Sequence, residues 1–200
     1  MPPQSMQSMV GEGITGPTLP FEPMRIVAGS ARGRRIEAPP GDGTRPTTDR
    51  VRQAIFNALW SMGAVDGATV LDLFAGSGAM GLEALSRGAA HVTFVESDRR
   101  TAEVIRRNVD HLGMADRARI VVADALDHAR RGERADLVLC DPPYAFDRWD
   151  ELLRALRAEV AVLESDRAID PPAPWRLARS KRYGSTFVTI VSAPSPAPPE

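Results

Sequence analysis

The chain is poor in the features that would place it outside the cell or in a membrane. Cys140 is its only cysteine, which excludes an intramolecular disulfide and suits a reducing cytoplasm. No apolar run approaches the roughly 18 residues of a membrane span. The N-terminus has no basic cluster leading into an apolar stretch, so secretion is not expected. The three histidines, His91, His111 and His128, have no metal-ligand spacing, and no metal site is expected. Against these absences, 43% of the 200 residues are hydrophobic, enough for the core of one domain.

The net charge of −1 conceals a local asymmetry. Between Met24 and Leu59 stand seven arginines (Arg25, Arg32, Arg34, Arg35, Arg45, Arg50, Arg52) against three acids, Glu37, Asp42 and Asp49. Such an excess is either a solvated surface or a phosphate-facing patch, since the guanidinium fork matches phosphate geometry. Charge alone does not choose.

Residues 1–23 and 193–200 are rich in Pro, Gly, Ser or Met without periodicity and read as disordered. RIVAG (25–29) and RRIEA (34–38) suggest a small β-hairpin, followed by a loop through PPGDGTRPTT. Thr48 or Asp49 then caps a helix reaching about Met62. From Ala68 the pattern alternates. Strands are expected at 69–74, 91–96, 119–124, 135–141 and 160–165, with helices between them, one at 98–112 and one around 147–157. Residues 175–182 and 185–191 read as a closing antiparallel pair around Gly184. The expectation is a doubly wound α/β domain with a mainly parallel sheet over residues 63–192. Residues 24–62 form a small N-terminal hairpin and helix in front of it.

In such a sheet, ligands gather beyond the carboxyl ends of the strands. Four of those ends carry acids or glycines: the Asp72–Gly81 loop, Glu96, Asp124, and Asp141-Pro142-Pro143-Tyr144. Gly76, Gly78 and Gly81 satisfy G-x-G-x-x-G, and Glu96 lies 20 residues after Gly76. The pair indicates a nucleoside cofactor, either a nicotinamide dinucleotide or S-adenosylmethionine. The DPPY element separates the two, because hydride transfer has no evident use for it. The nitrogen of an exocyclic amino group is a poor nucleophile, its lone pair delocalised into the base. Asp141 and the Pro142 carbonyl supply acceptors that hold the NH₂ group, the prolines donate nothing from their own nitrogens, and Tyr144 offers a stacking face.

Taken in order, DLFAGSGAMG, VESD, Asp124 and DPPY resemble the amino-group class of S-adenosylmethionine-dependent methyltransferases. The segment RIVAGSARGRRIEAPPGDGTRPTTDRVRQAIFNAL is similar to the bacterial enzymes that methylate guanine N2 in 16S rRNA of the small ribosomal subunit. The resemblance runs from about Met24 to Val191 and implies a Rossmann-like class I methyltransferase fold. It implies that Asp72, Phe74, Ala75, Gly76 and Gly78 surround the methionine part of S-adenosylmethionine. Glu96 then binds the ribose, Asp124 and Ala125 the adenine, and Thr47 lines the pocket near the methyl group. Asp141, Pro142, Pro143 and Tyr144 position the guanine, while Arg25, Arg32, Arg34, Arg35, Arg45 and Arg182 face the RNA. A cytoplasmic monomer without metal or membrane partner is expected. The link between the helix at 147–157 and VAVLES is shorter than is usual in that family. The competing readings are a DNA adenine or cytosine methyltransferase, a nicotinamide oxidoreductase, and a non-catalytic RNA-binding module.

Overall fold

A computed structural model describes residues 24–39 and 49–194. The expectations for Arg45, Thr47 and most of the two terminal segments therefore lie outside the described residues. At the C-terminal limit, Ala193 N donates to Glu159 O at 2.8 Å.

The elements follow the alternation of the sequence. Helix α1 (Asp49–Ser61) precedes β1 (Thr69–Leu73), α2 (Ala79–Ser86), β2 (His91–Glu96) and α3 (Arg99–Leu112). Then come β3 (Ala118–Val122), α4 (Ala125–Ala129), β4 (Arg134–Cys140), α5 (Trp149–Ala155), β5 (Arg157–Ser165), β6 (Arg176–Tyr183) and β7 (Thr186–Ser192). One sheet contains all seven strands in the order β3-β2-β1-β4-β5-β7-β6. The first five are parallel, and β7 runs antiparallel to both β5 and β6. Strand order reverses between β1 and β4, which is where this architecture opens a ligand crevice. It is a Rossmann-like doubly wound α/β fold.

Each central strand reads as a continuous apolar run because both of its faces are covered. Val70, Val92, Phe94, Leu137, Leu139, Val162, Val188 and Ile190 point into a core with Ile55, Phe56 and Leu59 of α1, Leu82 and Leu85 of α2, and Ile105 of α3. Their neighbours Leu71, Leu73, Val95, Val138, Cys140 and Leu163 face Leu126 of α4 and Trp149 and Leu153 of α5. Cys140 is packing, and burial pushes its thiol pKa upward, which keeps it inert. Helix α3 has defined ends: Asp98 accepts from Thr101 N at 2.7 Å, and Gly113 closes it at φ 70°.

Two local expectations change. The hairpin at 25–38 contracts to one antiparallel bridge, Arg25 with Arg35. The amides a longer ladder needs are taken elsewhere, Val27 N and Ala28 N donating to the Glu83 carboxylate at 2.7 and 2.9 Å. The helix around 147–157 stops at Ala155, because Leu156 is extended (ψ 143°) and β5 starts at Arg157. The short link is thus a single residue. The fifth strand nevertheless pairs with β4 along its length, from Arg134–Arg157 to Cys140–Leu163.

Candidate active site

The crevice is built from the ends of β1, β2, β3 and β4. After β1 the chain turns through Phe74 at φ 60°, a strained conformation for a residue with a side chain, then Gly76 at φ 55° and Gly78 at φ 79°. Ala75 N donates to Val95 O (3.0 Å) and Gly78 N to Ala75 O (2.7 Å), which fixes the loop against β2. Gly81 allows α2 to lie on the sheet. A Cβ there would sit 2.3 Å from Phe94 Cε1 and 2.9 Å from Asp72 Oδ2.

The acids divide by environment. Asp72 is buried and accepts from Gly81 N at 2.8 Å. Desolvation pushes its pKa well above the ordinary range, opposed by that hydrogen bond and reinforced by the charges of Asp141 and Glu96. It braces the loop from beneath. Glu96 stands at the end of β2, with Oε2 accepting from Gly76 N (2.9 Å) and Oε1 from Asp98 N (2.9 Å). Asp124 is exposed and caps α4 by accepting from Asp127 N at 2.9 Å, with Ala125 buried behind it.

Asp141 follows the last residue of β4 and is exposed, as are Pro143 and Tyr144, while Pro142 is buried. Phe146 N donates to Pro143 O (2.8 Å), closing a tight turn. Phe146 belongs to no motif, and only the folded chain gives it a role. Its ring meets Phe74 edge-on at 5.2 Å and Trp149 at 5.1 Å. The aromatic chain Phe74–Phe146–Trp149 therefore clamps the glycine loop to the DPPY loop, two segments far apart in the sequence. Asn108 is a second such tie. Its amide donates to Ser77 O and Glu37 O and accepts from Glu37 N.

The arginines separate as well. Arg34 donates to Leu112 O (3.0 Å) and to His111 O, capping the C-terminus of α3. Arg25 pairs with Asp49 at 2.9 Å. Arg52 is fully buried, between Asp49 (2.8 Å) and Glu83 (3.6 Å). Arg32 and Arg35 are exposed, with no ion pair among the described residues. Arg182 donates to Gly184 O (2.8 Å) and lies over the Phe187 ring.

A family model described as Conserved hypothetical protein 95 matches residues 24–192. Ribosomal RNA small subunit methyltransferase D of Escherichia coli is 38% identical over 172 residues, covering 80% of this chain and 85% of that one. The chain belongs to this methyltransferase family. A solved Escherichia coli member, yhhF, superposes with a TM-score of 0.75 at 36% identity, over 86% of this chain and 98% of its own. A more distant methyltransferase chain, solved with SAH bound, shares the fold at a TM-score of 0.60 and 19% identity, over 76% of this chain and 50% of its own. Among the described residues of this family member, no helix is long and apolar enough to cross a membrane.

Proposed function

We propose that this methyltransferase transfers a methyl group from S-adenosylmethionine to the exocyclic N2 amino group of a guanine in 16S rRNA of the small ribosomal subunit, in the cytoplasm. The observation that carries the reading is the DPPY turn, with Asp141 and Tyr144 exposed at the β1–β4 switch point and clamped through Phe146 to the glycine loop. The relatives' names support rRNA as the substrate.

The residues present fit the cofactor. A Cβ on Gly76 would meet only Phe74 O, at 3.9 Å, so there is room beside the Glu96 carboxylate. That carboxylate has about four lone-pair sites. With Gly76 N, Asp98 N and, at 3.4 Å, Ser97 Oγ already donating, a site remains to accept from a ribose hydroxyl. Asp124 is free toward solvent on its outer side and suits an adenine amino group, with the Ala125 backbone beside it. Phe74, Ala75 and Gly78 enclose the remainder, and Thr47 is assigned to the methyl end. When bound, S-adenosylmethionine supplies an electrophilic methyl group on a sulfonium sulfur.

The chain's own task is positioning. The Asp141 carboxylate and the Pro142 carbonyl accept hydrogen bonds from the guanine NH₂, aiming the nitrogen lone pair at the methyl carbon. A new N–C bond forms as the S–C bond breaks, and the extra amino proton leaves to solvent, so no covalent enzyme intermediate or general base is required. Such alignment contributes about 7–11 kcal/mol of barrier reduction. Unstacking the base costs a few kcal/mol, offset by Tyr144 stacking and phosphate contacts.

The test is methyl transfer from labelled S-adenosylmethionine to small subunits lacking the modification, followed by digestion to nucleosides. Label in N2-methylguanosine is the expected result. Label in a methylated adenosine or cytidine refutes the base assignment, and no label on any RNA refutes the substrate class.

A further inference from the structure

Resting on the reading that RNA is the substrate, we propose that the groove between α1 and β6 is the track for the RNA backbone flanking the target base. Arg50, Arg179 and Lys181 serve there as the phosphate contacts. The groove has a volume of about 390 Å³. On one wall Arg50, Ala54, Asn57 and Ser61 recur at helical spacing, so they form a single stripe along α1. On the other, Arg179, Lys181 and Tyr183 recur at spacing two and share one face of β6.

The charge of this groove is unbalanced. No carboxylate lines it, and none of its three cations has an ion pair among the described residues. Arg25, Arg52, Arg87, Arg107 and Arg130, by contrast, each face an acid. The β6–β7 hairpin carries Arg176, Arg179, Lys181 and Arg182 without one Asp or Glu. Cations on an exposed edge strand also discourage edge-to-edge pairing, which is the simplest use for those on β6. That use does not account for Arg50, which comes from a helix and lines the same groove. Asn57 and Tyr183 add neutral donors between the charges, a mixture that suits phosphate oxygens, while the Ser61 hydroxyl donates to Asn57 O.

Register places the groove at the catalytic edge. Lys181 pairs with Val188, Val188 with Glu164, and the preceding row contains Leu163 and Cys140. Lys181 is therefore level with Asp141, one residue past Cys140. Three strand spacings separate β6 from β4, about 14 Å. An RNA strand whose base enters at Tyr144 passes over this groove.

Lys181 is the only lysine in the chain, so the unmodified protein contains its own probe. Amine acetylation of the full-length protein, with the N-terminal amine as control, should slow at least about tenfold at Lys181 when a small-subunit rRNA fragment is bound. In parallel, the salt dependence of RNA binding is measured for Arg50→Gln/Arg179→Gln/Lys181→Gln. Its log–log slope should fall by about 2, three single-strand phosphate contacts at roughly 0.7 each. Arg50→Lys/Arg179→Lys, which keeps the charge, should retain the parental slope and shows whether a loss reflects misfolding. Unchanged acetylation at saturating RNA, or an unchanged slope in the triple variant, overturns the groove while the rRNA reading stands. A wild-type protein that neither binds nor methylates rRNA overturns both, and protection of Lys181 by duplex DNA but not RNA overturns the choice of partner.

Discussion

Removing the Glu83 carboxylate should unfasten the N-terminal segment from the methyltransferase core. Glu83 is completely buried and accepts from Val27 N (2.7 Å), Ala28 N (2.9 Å) and Arg87 Nε (2.7 Å), with Arg52 Nε at 3.6 Å. Alanine there leaves two amides without their acceptor and two largely buried guanidinium groups without their shared anion. Breaking a buried pair from one side costs about 3–5 kcal/mol. For a chain of this length that is a fall in Tm of roughly 6–20 °C, at about 2–4 °C per kcal/mol. Urea denaturation of Glu83→Ala reads the free energy, and hydrogen exchange at Val27 and Ala28 reads the local release. A double-mutant cycle with Arg52→Ala should show coupling of about 0.5–3 kcal/mol. A loss below about 1 kcal/mol, or additivity within roughly 0.5 kcal/mol, would refute the view that this buried network docks the segment.

Asp141→Ala should abolish methyl transfer while S-adenosylmethionine affinity, measured by calorimetry, stays within a few-fold; loss of both together makes Asp141 structural. Glu96→Ala should weaken S-adenosylmethionine by about tenfold or more, the scale of one charge-assisted hydrogen bond at roughly 1.5–3 kcal/mol, and unchanged affinity removes it from the ribose site. Gly81→Ala places a Cβ 2.3 Å from Phe94 Cε1 and 2.8 Å from Val92 Cγ1, so overpacking should lower stability by about 1–3 kcal/mol in urea, and wild-type stability would disprove the close approach. The pKa of Asp72 is raised by desolvation, so the folded state binds its proton more tightly than the unfolded chain does. Its contribution is fully present below the ordinary value of 3.8 and is lost as pH rises through the raised one. The stability of the wild type relative to Asp72→Asn should therefore decline with pH from near 4, and a pH-independent difference would show that Asp72 is not perturbed.

Much of the site was readable from the chain because it is local. A glycine loop, an acid at each strand end and a Pro-Pro turn are statements about a few consecutive residues, and the βα alternation then brings them to one edge of the sheet. The apolar runs likewise fix five parallel strands, since a strand covered on both faces has no polar side to show. What sequence reading left out depends on residues that meet only after folding. Phe146 is one aromatic among several until it packs on Phe74 and Trp149. Seven N-terminal arginines look alike until Arg52 is buried against Glu83, Arg34 caps α3 and Arg50 is left facing a groove. Composition sets how much charge there is. Which cations are neutralised by carboxylates, and which stay available to a phosphate, is decided by the distances between helices and strands.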